Sequence, residues 1–291
     1  MESSARKQTV LVTGCSDGSL GAALAEAFAR RGFHVFATLR DPTKASSLVA
    51  SNPDKGIEVM TLDVTDSASI SSCVAVVAAK TGGRLDVLVN NAGSIFVMPL
   101  LDTDIAEAKK LFDVNVWGLL AVTQAFAPML VRSQGVVLNI ASIAGAVSVA
   151  WQGIYNSSKA TVRCISETLR IEMQPLGVRV VTAMVGEVET KIYENRRVAP
   201  SLPPSSYYAS VKDIIFQQGL GAMQTENEKA SVTAENLVQD VLSGRDGHVW
   251  RGGVADRVKY LHWMVPERLL ERFLHSSRGV YKIVPPSEIH Q

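Results

Sequence analysis

The sequence has no surplus of charge: 29 Lys and Arg stand against 28 Asp and Glu, a formal net charge of +1. A chain so balanced offers no electrostatic footprint for a phosphate backbone, so nucleic acid is not an expected partner. Cysteine is scarce. Cys15, Cys73 and Cys164 are far apart and form no C-x-x-C pair. That spacing gives neither a disulfide framework nor a thiolate zinc set, and reduced thiols in an intracellular compartment are expected. The five histidines (His34, His248, His262, His275 and His290) are scattered, so no metal site is expected. No uninterrupted apolar run reaches the roughly 20 residues that span a bilayer. Met1–Lys7 leads directly into a strand pattern rather than an apolar signal segment, and a cytoplasmic location is expected. No Gly/Ser/Pro-rich linker, charge run or solenoid-period repeat divides the chain, which reads as a single domain over residues 1–291.

What the chain does have is alternation. Short β-branched, apolar runs occur at Thr9–Thr13, His34–Leu39, Ile57–Leu62, Leu85–Asn90, Val136–Ala141 and Val178–Met184. Runs apolar on both faces suit parallel strands covered on both sides. Between them lie helical patterns. Leu20–Arg31 sets Leu20, Leu24, Ala27 and Phe28 on one face, and Ser67–Ala79 has Asp66-Ser67 as a cap. Glu107–Val131 and Gln152–Gln174 are longer, and Pro175-Leu176-Gly177 stops the second. Further on, Val232–Leu242 reads as a helix and His248–Arg251 as a last strand. Repeated β-α-β units predict an α/β fold, a doubly wound parallel sheet with helices on both faces. In such sheets a ligand sits beyond the carboxyl ends of the strands.

The first strand runs into Thr13-Gly14-Cys15-Ser16-Asp17-Gly18-Ser19-Leu20-Gly21 and then a helix. Glycines in that place let the backbone approach a pyrophosphate, and the helix N-terminus supplies amide donors. NAD-type sites usually end the second strand on an acid that binds the ribose 2′-hydroxyl. Here Leu39 stands where the acid would be and Arg40 follows. A guanidinium suits a 2′-phosphate, so NADPH/NADP+ is expected and NADH is the lesser candidate. Asp41 would weaken that preference, and a simply solvated Arg40 is the bland alternative.

The strand ending at Ala141 is followed by Ser142, and Tyr155 and Lys159 lie four apart near the start of a long helix, on one face of it. A free phenol is a poor base, and a neighbouring ammonium lowers its pKa, so such a pair can exchange a proton with a substrate oxygen. Ser142 could hold the same oxygen. A Tyr and a Lys at this spacing are often just a surface pair. Their coincidence with a strand-end serine and a glycine loop argues otherwise.

Together these motifs resemble the short-chain dehydrogenase/reductase family, over roughly residues 8–195 and more loosely 230–252. The resemblance rests on the Thr13–Gly21 loop, Asp63 in Leu62-Asp63-Val64, Asn90-Asn91-Ala92-Gly93, Asn115 in Asp113-Val114-Asn115-Val116, Ser142, and Tyr155-Asn156-Ser157-Ser158-Lys159. It implies a single Rossmann domain with Tyr155 as general acid/base. Lys159 would lower the phenol's pKa and bind the nicotinamide ribose, while Ser142 would orient the carbonyl. Asn115 would kink its helix and hold a water. Gly14, Ser16, Gly18, Leu20 and Gly21 would cradle the cofactor, with Arg40 on the 2′-phosphate, Asp63 and Val64 beside the adenine, and Asn91, Ala92 and Gly93 behind the ribose. Gly186, Val188 and Thr190 would grip the nicotinamide end. Two departures stand out. The family's TGxxxGxG loop carries an extra residue between Gly18 and Gly21, and Val185-Gly186 replaces the usual Pro-Gly. The loop details are similar to members that reduce 1-acyldihydroxyacetone phosphate and to 17β-hydroxysteroid dehydrogenases, both of which take lipophilic ketones.

The resemblance therefore implies a redox enzyme that reduces a ketone or aldehyde of a lipophilic small molecule, or oxidises the alcohol. The alternative is a non-redox member: a cofactor-binding regulator, epimerase, dehydratase or cyclase. A substrate lid is expected over about 187–229, where Ile192, Tyr193, Leu202, Tyr207, Tyr208 and Phe216 offer apolar and aromatic walls. Val147, Val149 and Trp151, between Ser142 and Tyr155, are further substrate candidates. The tail, about 254–291, sets Val258, Leu261, Val265, Leu269 and Phe273 against Arg257, Lys259, Arg268 and Arg272 and is interrupted by Pro266. Such a basic amphipathic segment packs on a domain or a neighbouring subunit, or lies on a membrane surface such as endoplasmic reticulum or lipid droplet. By the resemblance, the two long helices would join subunits into a homodimer or homotetramer.

Overall fold

The computed structural model describes residues 6–50, 56–195 and 200–284. The first residues of the Met1–Lys7 leader, 196–199 of the expected lid and 285–291 of the tail lie outside them.

The chain opens with β1 (Thr9–Thr13), α1 (Leu20–Arg30), β2 (His34–Leu39), α2 (Ser46–Ala50), β3 (Ile57–Thr61), α3 (Ser67–Thr81) and β4 (Val87–Asn90). It continues with α4 (Ile105–Phe112), α5 (Gly118–Ser133), β5 (Val136–Ile140), α6 (Gly153–Met173) and β6 (Arg179–Val185). Then follow β7 (Val188–Glu189), α7 (Lys212–Gly219), β8 (Glu228–Lys229), α8 (Ala230–Leu242), β9 (Gly247–Arg251), α9 (Ala255–Met264) and α10 (Glu267–His275). Seven strands form one parallel sheet in the order β3-β2-β1-β4-β5-β6-β9, with the order reversing at β1 and β4. β7 and β8 pair separately within the expected lid.

The strand β1 shows why runs apolar on both faces are needed. Val10 and Val12 join the cluster that holds Leu24 and Phe28 of α1 and Leu237 of α8. Leu11, one residue between them, belongs to the opposite cluster with Val77 of α3 and Phe126 of α5. The period-2 alternation thus feeds two cores from one strand. Burying each such side chain contributes about 1.5–3 kcal/mol. In α1 the four residues expected on one face, Leu20, Leu24, Ala27 and Phe28, are all buried. Asp66 caps α3 as its sequence predicts, accepting a hydrogen bond from Ala68 N at 3.0 Å.

The long helix expected over Glu107–Val131 is really two helices joined by a π turn at Asp113–Trp117. The whole run, Ile105–Ser133, is long and apolar enough to cross a membrane by length and composition, yet half of that apolar window is buried inside the domain. Its apolar face serves the core. The tail, read as one interrupted helix, is α9 and α10 with Val265 extended between them and Pro266 opening the second. Proline lacks the backbone N–H and its ring crowds the preceding turn, so Pro266 favours a break that opens a new helix. Trp263 (82% exposed) and Phe273 (73%) leave part of the tail's apolar surface uncovered. Beyond α10 the chain turns back. Trp151 donates its indole N–H to the carbonyl of Arg278 at 2.8 Å, and Ala150 N bonds His275 Nε2 at 3.2 Å. The tail therefore closes against the segment that precedes α6.

Candidate active site

A crevice of about 600 Å³ opens beyond the carboxyl ends of β1, β2, β4, β5 and β6. Its first wall is the glycine loop. Gly14 N and Cys15 N bond Thr38 O at 2.8 and 3.1 Å, tying the loop to β2. Ser19 caps α1 by accepting from Ala22 N at 3.1 Å, and it donates to Gly14 O at 3.1 Å. Gly14 has φ +75°, and a Cβ there would lie 2.8 Å from Ala92 Cα. A Cβ on Gly21 would come within 2.5 Å of both Asn91 Nδ2 and Gly14 O. The spaced loop therefore still brings α1 hard against the end of β4, which only glycine permits. Cys15, in the middle of the loop, is fully buried, and burial pushes its thiol up to about 12, so it is no nucleophile. Asp17 turns away to accept from Ser47 N at 2.9 Å and Leu48 N at 3.1 Å, opening α2.

The second wall comes from the loops after β3 and β4. Asp63 accepts from Thr65 N at 2.9 Å and Thr65 Oγ1 at 2.7 Å, which leaves Asp63 and Val64 on the crevice wall. Asn91 donates to Thr13 O at 2.8 Å, and Thr13 Oγ1 receives Asn91 N and Ala92 N at 3.0 and 2.9 Å. Gly14, Ser16, Leu20, Arg40, Asn91, Ala92, Gly93, Gly186, Val188 and Thr190 also line the crevice. Gly18 and Gly21 do not. Gly18 packs against the stem of Lys191, whose N bonds Gly18 O at 3.2 Å, and Gly21 is taken up by the close approach just described.

The reacting end is assembled by α6 and the π turn. Asn115, buried in that turn, accepts from Ser94 N at 2.8 Å and donates to Ser94 O and to Ser158 Oγ, both at 3.0 Å. The wider turn at Asp113–Trp117 aims this amide at α6. Ser158 in turn donates to Tyr155 O at 2.8 Å. Lys159 reaches under the strand end, where Nζ donates to Ile140 O at 2.8 Å and lies 6.0 Å from the centre of the Tyr155 ring. Burial draws the Lys159 ammonium down to about 8. Burial also pushes the Tyr155 phenol above its ordinary range, against a hydrogen bond with Ser142, and the nearby Tyr193 phenol adds to the rise. The Lys159 ammonium is engaged by Ile140 O, and the direction of the Tyr155 shift is set by burial.

Of the four substrate candidates, Val149 and Tyr193 line the crevice, while Val147 and Trp151 do not. Both of the latter are buried. Trp151 sits behind the wall, edge-on to Tyr208 with ring centres 5.2 Å apart. Of the expected lid walls, Ile192 and Tyr193 reach the crevice, whereas Leu202, Tyr207, Tyr208 and Phe216 do not. Missed from sequence were Lys44, Ser94, Gln152, Gln218 and Arg278, all of which line it. Gln218 and Arg278 come from segments with no motif, and only the turn of the tail brings Arg278 here.

The order of strands, the glycine cradle at the switch point and the Asn-Ser-Tyr-Lys cluster define a dinucleotide-binding α/β enzyme. The chain belongs to the short chain dehydrogenase family, whose pattern it matches over residues 8–200. It is 43% identical over 277 residues to the short-chain dehydrogenase cctT of Talaromyces islandicus, covering 95% of this chain and 97% of that one. It is 37% identical over 211 residues to the NADPH-dependent 1-acyldihydroxyacetone phosphate reductase of Schizosaccharomyces pombe, covering 72% of this chain and 70% of the other. A solved short-chain dehydrogenase from Streptomyces avermitilis superposes with a TM-score of 0.77 at 31% identity, covering 95% of this chain and 99% of that one.

Proposed function

We propose that this oxidoreductase uses NADPH to reduce the carbonyl of a lipophilic small molecule, or runs the same reaction in reverse, with Tyr155 as general acid/base. The observation that carries the reading is the Tyr155 hydroxyl, hydrogen-bonded with Ser142 in the wall of a crevice continuous with the glycine loop. That loop fits a pyrophosphate, since Gly14 and Gly21 leave no room for a Cβ and Ser19 opens α1 toward the crevice. The choice of NADPH is supported by Arg40 and Lys44 at the end of the crevice beyond β2. Asp41, which would oppose a 2′-phosphate, is engaged as a cap, accepting from Thr43 N at 3.1 Å and Thr43 Oγ1 at 2.6 Å. The Schizosaccharomyces pombe relative, NADPH-dependent by name, supports the same choice. Ile95, Ile143, Val149 and Ile192 supply apolar wall for the substrate.

Bound at this cradle, the nicotinamide supplies the hydride. The chain's own residues do the rest. The Ser142 hydroxyl holds the carbonyl oxygen, and the Tyr155 hydroxyl delivers the proton to that oxygen as it becomes an alcohol. A phenol held protonated by burial suits the acid role in the reductive direction. Lys159, with its pKa near 8, can release or regain a proton close to neutral pH. Asn115 holds Ser158 and the backbone of Ser94, and so positions the first turn of α6. Loss of NADPH absorbance with a panel of ketones tests the redox reading; a non-redox member would reduce none of them. Tyr155→Phe should bind NADPH while turnover falls by about 10²–10⁴-fold. Turnover at the wild-type rate would sink this mechanism.

A further inference from the structure

The substrate end of the crevice carries a cation that the proposed chemistry does not use. Arg278 arrives from the C-terminal tail and lines the wall together with Tyr193 and Gln152. Its place at the reacting end follows from its neighbours. Its carbonyl holds Trp151 at 2.8 Å, on the segment between Ser142 and Tyr155, and the Tyr193 phenol is in electrostatic reach of both Tyr155 and Arg278. The guanidinium is half-buried, and its Nε donates to Leu274 O at 3.1 Å. Among the described residues no carboxylate meets it at ion-pair distance. Glu187 is the acid within its electrostatic reach, and that carboxylate already accepts from Thr225 N and Glu226 N, each at 2.8 Å. The surroundings are polar as well. Gln152 bonds Tyr193, and Gln218, buried nearby, donates to Ala150 O at 2.8 Å while its Oε1 has no partner among the described residues. Burial draws Arg278 below the ordinary arginine range, so the cation is held there at a desolvation cost. A planar guanidinium whose terminal N–H groups have no hydrogen-bond acceptor among the described residues, partly stripped of water, is built to meet a carboxylate or phosphate through two hydrogen bonds.

We propose that the carbonyl compound received by this crevice carries an acidic group, a carboxylate or a phosphate monoester, and that the Arg278 guanidinium binds it. The proposal rests on the reductase reading for the reacting carbonyl. It adds a charged anchor to a substrate whose remainder is apolar, and it gives the tail a part in selecting that substrate.

The test compares 5-oxodecanoate, its methyl ester and 5-oxodecyl phosphate as substrates with NADPH. Wild type should favour at least one anion over the ester by about 10- to 100-fold in kcat/KM, the size of a charge-assisted bidentate contact. Which anion it favours separates a carboxylate from a phosphate anchor. In Arg278→Gln that ratio should collapse toward one, through KM rather than kcat, and Arg278→Lys should recover part of it. Calorimetric binding of the matching hydroxy acid and hydroxy ester to wild type gives the same comparison without turnover or a variant. Ester turnover equal to that of both anions, or a ratio unmoved in Arg278→Gln, overturns the anchor while leaving the reductase intact. Preferential binding of the hydroxy acid with no ketone reduced overturns the reductase reading and keeps the anchor.

Discussion

Replacing Lys159 by Met should make this protein more stable at neutral pH while abolishing its reductase activity. The Lys159 ammonium is buried and accepted by one carbonyl, Ile140 O, at 2.8 Å. Burial has drawn it from 10.5 to about 8. At 1.36 kcal/mol per pKa unit, holding it charged at pH 7 costs about 3 kcal/mol. Methionine keeps much of the unbranched stem and removes the charge. It also leaves Ile140 O without its donor, which costs about 1–2 kcal/mol. The net gain is about 1–2 kcal/mol, a rise of roughly 2–5 °C in Tm for a domain of this size. The sign follows from linkage: the folded pKa lies below the unfolded one, so between about pH 8 and 10.5 the unfolded chain holds the extra proton. Wild-type stability therefore rises relative to the variant across that window, and the order reverses as pH approaches 10.5. Tyr155 is present in both proteins, so its own titration largely cancels from the difference. Urea unfolding of the cofactor-free proteins at pH 7 and pH 10 measures it. A variant less stable at pH 7, with a difference that does not change by pH 10, refutes the argument that burial dominates at this lysine.

Two further outcomes probe the cofactor cradle. Arg40→Ala should weaken NADPH binding by about tenfold or more and NADH binding far less, since a hydrogen-bonded charged contact contributes about 1.5–3 kcal/mol; equal losses in calorimetric titrations would remove Arg40 from the 2′-phosphate. Gly14→Ala sets a Cβ 2.8 Å from Ala92 Cα at φ +75°, so it should cost about 1–3 kcal/mol in urea unfolding and weaken NADPH binding. A variant with wild-type stability and affinity would show that the loop path is not as tightly constrained as its geometry implies.

Much of the architecture can be read from local pattern. The apolar run of β1 serves two cores because adjacent side chains leave opposite faces, a property of any strand. Leu20, Leu24, Ala27 and Phe28 recur at helical spacing and are buried together. Tyr155 and Lys159 share the buried face of α6 because their spacing is one helical turn. Local signals also misled where contact decides. Leu202, Tyr207, Tyr208 and Phe216 looked like pocket walls, yet hydrophobicity cannot say which cavity, if any, a side chain faces. Trp151 is close in sequence to Tyr155, but its indole turns to Arg278 behind the wall.

Local pattern was enough for the doubly wound sheet, the glycine loop and the Ser142, Tyr155 and Lys159 group, because each depends on periodicity or short spacing along the chain, whereas Asn115 was singled out only by the family resemblance. Three features came from tertiary structure: Lys159 donates to Ile140 O, burial raises the Tyr155 phenol, and Arg278 stands in the crevice at all. Those outcomes depend on desolvation and on contacts between separate elements, some of them more than a hundred residues apart, such as Trp151 with Arg278. Neither quantity has a signature in linear order.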